Sequence, residues 1–331
     1  MVKKSFVSVL LPVYNAERFL PETLNSLLIQ THKNFEIIAI NDGSTDGSLE
    51  LLKKYANLDS RVKIIDQKNS GLVKTLNTAA SLASGEFLAR IDADDIATPK
   101  RFERQVIELL EHPDCALVAS SFDVINEESE FLYQNIVPTL QEDILTAMLY
   151  RNPIAHGSIM MRKNIFEQSG GYSQNCGPTE DYELWSRLLD LGTIRILPES
   201  LFRWRVNSTG ITSTQSDSMR RYMEKNLNLF WSKHHVSIKS RSTITKHAKH
   251  YISQDPRKGV ARKEAMLYDI CKVSVILLKK QRYIHGIGQL LIVLSTGRTG
   301  ARVIRNVLKE TLDWHLTRRL KHYVRSVKKH F

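Results

Sequence analysis

The first 125 residues alternate short apolar runs with stretches of helical periodicity, and that alternation limits the fold more than any other feature. "FVSVLLPV" reads as a buried strand, and "AERFLPETLNSLLIQT" places Phe19, Leu20, Leu24, Leu27 and Leu28 at helical spacing. "NFEIIAINDGSTDGS" is a strand entering a turn of Asp, Gly, Ser and Thr. "SLELLKKYA" is then a helix, "RVKIIDQ" a strand and "GLVKTLNTAASLAS" a helix. "EFLARIDADD" is a strand, "PKRFERQVIELLEH" a helix and "CALVASSFDVI" a strand. Strands alternating with helices build βαβ units, so the expected class is α/β, a mostly parallel sheet flanked by helices. Such sheets bind ligands beyond the carboxyl ends of their strands. Two acidic clusters, "NDGSTD" and "DADD", fall at those ends.

Charge divides the chain. Residues 1–214 carry 21 Lys/Arg against 28 Asp/Glu, and residues 215–331 carry 26 against 7, together the net +12. The expected organisation is therefore an α/β domain over 1–214 and a basic α-helical extension over 215–331, with "NSTGITSTQSDS" (207–218) as linker. In the extension an apolar stripe runs from Val303 through Leu312, Leu316 and Leu320 to Phe331, with Lys and Arg off it. That pattern suits a solvated face or an anionic membrane surface. No nucleic-acid recognition motif accompanies it, so no nucleic-acid partner is expected. Three cysteines with no CxxC pair point to a reduced compartment. No run of about 18 apolar residues suggests a membrane span.

The crowded carboxylates Asp92, Asp94 and Asp95 need a counter-charge. Strand alternation would point Asp92 and Asp94 the same way, with the small Ala93 between them allowing close approach. Mg²⁺ and Mn²⁺ take oxygen ligands, commonly one or two carboxylates plus substrate phosphates. A solvated acidic turn is the plain alternative.

The chain resembles the inverting GT-A glycosyltransferases of family 2, on motifs in order across residues 5–205: "VSVLLPVYNAERFLPETLNSLLIQT", "FEIIAINDGSTDGS", "NSGLVKTLN", "ASGEFLARIDADDIATPKRFERQ", "NPIAHGSIMMRK", "GGY" and "TEDYELWSRLLDLG". The resemblance implies a GT-A fold, a nucleotide-diphosphate sugar donor (a UDP-sugar foremost) and a metal ion, Mn²⁺ or Mg²⁺. It implies that Pro12, Tyr14 and Glu17 border the base, that Asp42 binds it, and that Asn69, Gly71 and Lys74 lie near the nucleotide. It implies Asp92 on the ribose, Asp94 on the metal, Ala93 and Asp95 in the same loop, and Gly171 beside the donor sugar. Asp181 is the implied base with Glu180 adjacent. His156 and Trp185 are placed on the acceptor side, and a core role is the alternative for each.

One departure stands out. A histidine commonly completes the metal site as "YRxH", and in "FRWRVNSTGIT" Arg205 is read at that place, where it would bind diphosphate directly. The "QxxRW" of processive members is absent, which suits single-sugar transfer. Resemblance to bacterial envelope-glycan enzymes implies a glycan or lipid-linked acceptor and a site on the cytoplasmic face of the inner membrane. The rivals are a nucleotidyltransferase, which would want a glycine- and lysine-rich loop after the first strand, and a catalytically impaired sugar-binding or membrane scaffold.

Overall fold

The computed structural model describes residues 5–135, 137–149, 151–207 and 216–233. Nine strands among them form one sheet. They are β1 (Val7–Val13), β2 (Phe35–Asp42), β3 (Val62–Gln67), β4 (Phe87–Arg90), β5 (Ile96–Ala97), β6 (Cys115–Ile125), β7 (Phe131–Asn135), β8 (Met160–Arg162) and β9 (Thr193–Arg205). Their order is β3-β2-β1-β4-β8-β6-β9-β5, with β7 joined to β6. β3, β2, β1 and β4 are parallel, and so are β6 and β9. β8 lies antiparallel between β4 and β6, so the two parallel groups point the same way.

The helices are α1 (Leu20–Leu28), α2 (Ser48–Leu58), α3 (Leu72–Leu82), α4 (Arg101–Glu111), α5 (Gln141–Met148), α6 (Lys163–Gln168), α7 (Glu180–Leu188) and α8 (Ser216–Lys233). Central strands covered on both faces read as unbroken apolar runs, and all eight residues of β2 are buried. Each helix buries one stripe. Leu20, Leu24 and Leu27 of α1 and Phe102, Val106 and Leu109 of α4 are fully buried, at spacings of three and four. Glu36 ties three neighbours together under the sheet. It accepts from Ser8 Oγ of β1 (2.6 Å), from Lys63 Nζ of β3 (2.5 Å) and from the Ser84 N–H (2.8 Å).

Two expectations need correction. β4 stops at Arg90, and residues 92–95 form a turn in which the Asp95 N–H reaches Asp92 O at 3.3 Å. Strand alternation therefore does not set the directions of Asp92 and Asp94. The compact body also runs past residue 214, to Ser237. α8 belongs to it, with Leu227, Phe230 and Trp231 buried and Trp231 Nε1 donating to Leu149 O at 2.7 Å. The remaining basic region, with its expected stripe over 302–331, lies outside the described residues, as does most of the expected linker. Among the described residues no helix is long and apolar enough to cross a membrane.

Candidate active site

The carboxyl ends of β1 and β2 carry the first group of expected residues. Pro12 is half-buried in β1, and Tyr14 just beyond it is 54% exposed, so its ring is open to a partner. Asn15 adopts a positive φ of 48° and accepts the Thr45 N–H at 2.8 Å. Glu17 accepts the Gly47 N–H at 2.9 Å and gives its own N–H to Asp46. It braces the "STDG" turn, and that is its role in the structure.

Asp42, 4% exposed, ends β2 and organises the loop after β3. Its Oδ1 accepts from Gln67 Nε2 and the Ser70 N–H, both at 2.8 Å, and its Oδ2 accepts the Gly71 N–H at 3.0 Å. Burial works against the charge, but these donors outweigh it and hold the carboxyl below the usual range. Gly71 caps α3, while Asn69 and Lys74 beside it are exposed. Gly43 links the two loops: at φ 72°, a Cβ there would fall 2.6 Å from Asn69 N. Gln67 and Ser70 were not singled out from sequence, where they look like ordinary loop polars.

The acidic turn after β4 sends its three carboxylates to different partners. Asp92, about a third exposed, is gripped through both oxygens by the two Nη atoms of Arg90, a side chain 2% exposed. Asp94 accepts from Asn207 Nδ2 at 3.1 Å, and burial together with the neighbouring Asp92 raises its pKa. Asp95 is 1% exposed and its Oδ1 accepts the Arg205 N–H at 2.8 Å. Burial, then Asp94 and Asp92, push its pKa well up, so it supports the loop from beneath. Ala93, 8% exposed, is pinned through its carbonyl by Thr23 Oγ1 at 2.9 Å.

Arg205 does not face the donor site. Its Nε donates to Asp94 O at 2.7 Å, its Nη1 to Asn126 O, Glu127 O and Ser129 Oγ, and its Nη2 to Glu22 Oε2 at 2.5 Å. Phe19 lies under the guanidinium, 4.7 Å away. Arginine's fork geometry makes it a clamp between α1, the acidic turn and the β6–β7 connection. The side chain that reaches the Asp94 carboxylate from this segment is Asn207, two positions on. Carboxylate oxygens are the donors that hard divalent cations take, so Asp94 fits Mn²⁺ or Mg²⁺, with the Asn207 NH₂ holding one of its oxygens in place.

Glu180 and Asp181 open α7, where a helix terminus favours negative charge. Asp181 Oδ2 accepts from Asn152 Nδ2 at 2.6 Å and Oδ1 from the Tyr182 N–H at 2.6 Å. Burial raises its pKa to about 6 against the pull of the Tyr182 N–H, Arg90 and Asn152. Glu180, 6% exposed, is pushed to about 8 by burial and by Asp181. The two carboxyls titrate as one coupled pair, and burial favours keeping a proton between them. His156 sits 3.6 Å from Glu180 through Nδ1 and bonds Tyr172 Oη through Nε2 at 2.8 Å. Burial and Arg90 keep its imidazole neutral. Trp185 is fully buried against His156, so it presents no face to an acceptor sugar.

The "GGY" loop is fixed from both sides. Asn77 of α3 exchanges two hydrogen bonds with the Tyr172 backbone, at 2.8 and 2.9 Å, and Arg187 Nη2 of α7 donates to Gly171 O at 2.7 Å. The turn before α7 needs its glycine. At φ 54° a Cβ on Gly177 would enter the Tyr222 ring of α8. Asn226 of α8 donates to Thr179 Oγ1 at 2.9 Å, one residue before Glu180.

Known proteins resemble this chain in sequence and in fold. The model of the family "Glycosyl transferase family 2" matches residues 8–170. An uncharacterized glycosyltransferase of Haemophilus influenzae is 33% identical over 255 residues, 72% of this chain and 78% of the relative. The O-antigen biosynthesis glycosyltransferase WbnJ of Escherichia coli is 32% identical over 222 residues, 65% of this chain and 84% of WbnJ. The amylovoran biosynthesis glycosyltransferase AmsE of Erwinia amylovora is 33% identical over 205 residues, 61% of this chain and 76% of AmsE. Among solved structures, S. aureus TarS 1–349 in complex with UDP-GlcNAc superposes with a TM-score of 0.58 at 17% identity, covering 92% of this chain and 90% of TarS 1–349. That likeness is one of fold, and the fold is GT-A. Sequence kinship and architecture agree, and the chain belongs to glycosyltransferase family 2.

Proposed function

We propose that the enzyme moves a sugar from a nucleotide-diphosphate donor, a UDP-sugar, to a hydroxyl of a glycan or lipid-linked acceptor, with inversion at the anomeric carbon. The observation that carries this reading is the placement of the Glu180–Asp181 pair at the start of α7, where burial raises both carboxyls and where Arg90 and Asp92 of the acidic turn lie near enough to act on Glu180. TarS has been captured with UDP-GlcNAc and with UDP, and WbnJ and AmsE are named for O-antigen and amylovoran synthesis. Both facts favour a nucleotide sugar and an envelope or exopolysaccharide acceptor.

In the proposed step the acceptor oxygen attacks the anomeric carbon as the bond to the diphosphate oxygen breaks. The electron pair leaves with the nucleoside diphosphate, and the acceptor proton passes to Asp181 Oδ2 or Oδ1. Tyr14 stacks on the base, Asp42 keeps the loop at 67–71 in place around it, and Asp92, held by Arg90, accepts ribose hydroxyls. Asp94, with Asn207 beside it, would hold a divalent cation, Mn²⁺ or Mg²⁺, whose charge would favour departure of the diphosphate. The basic stripe over 302–331 would hold the enzyme peripherally on the anionic cytoplasmic face of the inner membrane.

The test is calorimetric titration of UDP, GDP and CDP, each with and without Mn²⁺, followed by donor turnover in wild type and Asp181→Asn. Tight Mn²⁺-dependent binding of UDP and loss of transfer in the variant are expected. Full transfer by Asp181→Asn would remove the base assignment, and no binding of any nucleotide would remove the donor class.

A further inference from the structure

Asn152 precedes Pro153 in the loop that follows α5, and a residue before proline is steered to extended backbone. Its side-chain oxygen accepts the Ile154 N–H at 3.1 Å, closing a turn two residues on. That bond settles which way the amide faces. The NH₂ group is the end turned toward Asp181, and it donates to Oδ2 at 2.6 Å. With the Tyr182 N–H on Oδ1, each oxygen of Asp181 meets a donor.

We propose that Asn152 is a positioning residue for the base: its amide, fixed by the Ile154 N–H, adds a side-chain donor to Asp181 Oδ2 and so helps to mark out Asp181 rather than the adjacent Glu180. The inference rests on the reading of Asp181 as base and adds a residue outside the motif that carries it. The other charged groups around the pair do not make that choice. Arg90, from the end of β4, acts on both carboxyls. Asp92 disfavours charge on Glu180 and lies beyond the same guanidinium. His156 faces Glu180 at 3.6 Å, too long for a hydrogen bond, and is neutral. Tyr172 is protonated, its phenol pushed up by burial, and spends its hydroxyl on His156. Glu183 and Arg187, further along α7, pair with each other at 2.6 Å. Asn152 is the side-chain donor that reaches one carboxyl and not the other. Donors to a carboxylate favour its ionised form, so Asn152 favours charge on Asp181.

The decisive variant is Asn152→Asp. It keeps an oxygen for the Ile154 N–H, and so keeps the turn, but replaces the donor with a second carboxylate. Asn152→Ala removes donor and acceptor together. The full chain, labelled with ¹³C at aspartate Cγ, is titrated by NMR, with the Asp181 signal assigned by its loss in Asp181→Asn. The acid limb of kcat/KM is followed in parallel, with the UDP-sugar that the donor screen selects. The wild-type midpoint lies near 6. It should rise by about one pH unit in Asn152→Ala and further in Asn152→Asp, with kcat/KM at pH 6 falling about fivefold in the first and more in the second. A midpoint unmoved in Asn152→Asp, at unchanged urea midpoint, overturns the role of Asn152. If Asp181→Asn retained transfer, the base reading would fall, while the NMR midpoints would still decide what Asn152 does to its neighbour.

Discussion

Arg90 holds both carboxylate oxygens of Asp92, two residues away, from a guanidinium that is itself almost wholly buried. The same cation favours charge on Asp181 and Glu180. It is the shared counter-charge that lets the turn at 92–95 and the start of α7 carry carboxylates so near each other. Arg90→Met keeps much of the volume and removes the charge. We expect a loss of about 3 kcal/mol in urea unfolding, because breaking one side of a buried pair strands the other. We also expect the acid limb of activity to move upward. An unchanged limb would mean that Arg90 acts on Asp92 alone.

Arg205 and Asn207 should separate cleanly. Arg205→Met abandons five acceptors contributed by three segments, and should destabilise the fold by several kcal/mol. Asn207→Ala touches the Asp94 carboxylate and should leave the urea midpoint nearly unchanged while altering the Mn²⁺ concentration needed for UDP binding. Calorimetry with UDP across a Mn²⁺ series distinguishes the two. A large stability loss in Asn207→Ala with unaltered Mn²⁺ dependence would contradict the assignment.

Glu36 gives the fold an acid-sensitive joint. Burial opposes its charge, yet Lys63, Ser8 and Ser84 hold its pKa down to about 2, against 4.5 for a free glutamate. A depressed carboxylate stabilises the folded chain fully above the unfolded pKa and loses that contribution as pH falls toward the folded one. Between about pH 4.5 and 2 the protein should lose about 3 kcal/mol through this residue alone. Urea unfolding of wild type and Glu36→Gln should therefore differ at pH 7 and converge near pH 2.

α8 should be required for a folded site. Trp231 is 3% exposed, and truncating a buried aromatic costs about 3 kcal/mol or more. Trp231→Ala should lower the urea midpoint accordingly. A chain ending at 214 should show weakened near-ultraviolet circular dichroism relative to one ending at 237. Equal spectra and stabilities would show that the helix is dispensable.

What could be read in advance divides along physical lines. The strands and helices of the first 125 residues were legible because both faces of β1 and β2 are covered, leaving uninterrupted apolar runs, and because α1 and α4 repeat apolar residues at helical spacing. Asp42, Asp94 and Asp181 were legible as motif residues at strand or helix ends. β9 was not, since Arg195, Pro198, Glu199, Arg203 and Arg205 break its pattern. Nor were the destinations of Arg90 and Arg101, which look like surface cations, or of Arg205, read as a diphosphate ligand, whose partner Glu22 arrives from 183 positions away. Arg101 is wholly buried, donating to Arg90 O and Ile159 O. Asn152 and Asn207 escaped for a related reason: an asparagine shows its role only through what its amide meets. The signal available was proximity in sequence to motifs already recognised.

The Tyr222 ring over Gly177 has a consequence for how such an enzyme can be re-engineered. The family model matches residues 8–170, yet the turn that launches α7 is roofed by a side chain some fifty positions later. A chimera joined anywhere between Gly177 and Tyr222 would inherit the carboxylates of α7 from one parent and the roof over them from another. Exchanging this part between relatives therefore calls for moving Gly177, α7 and α8 as one cassette.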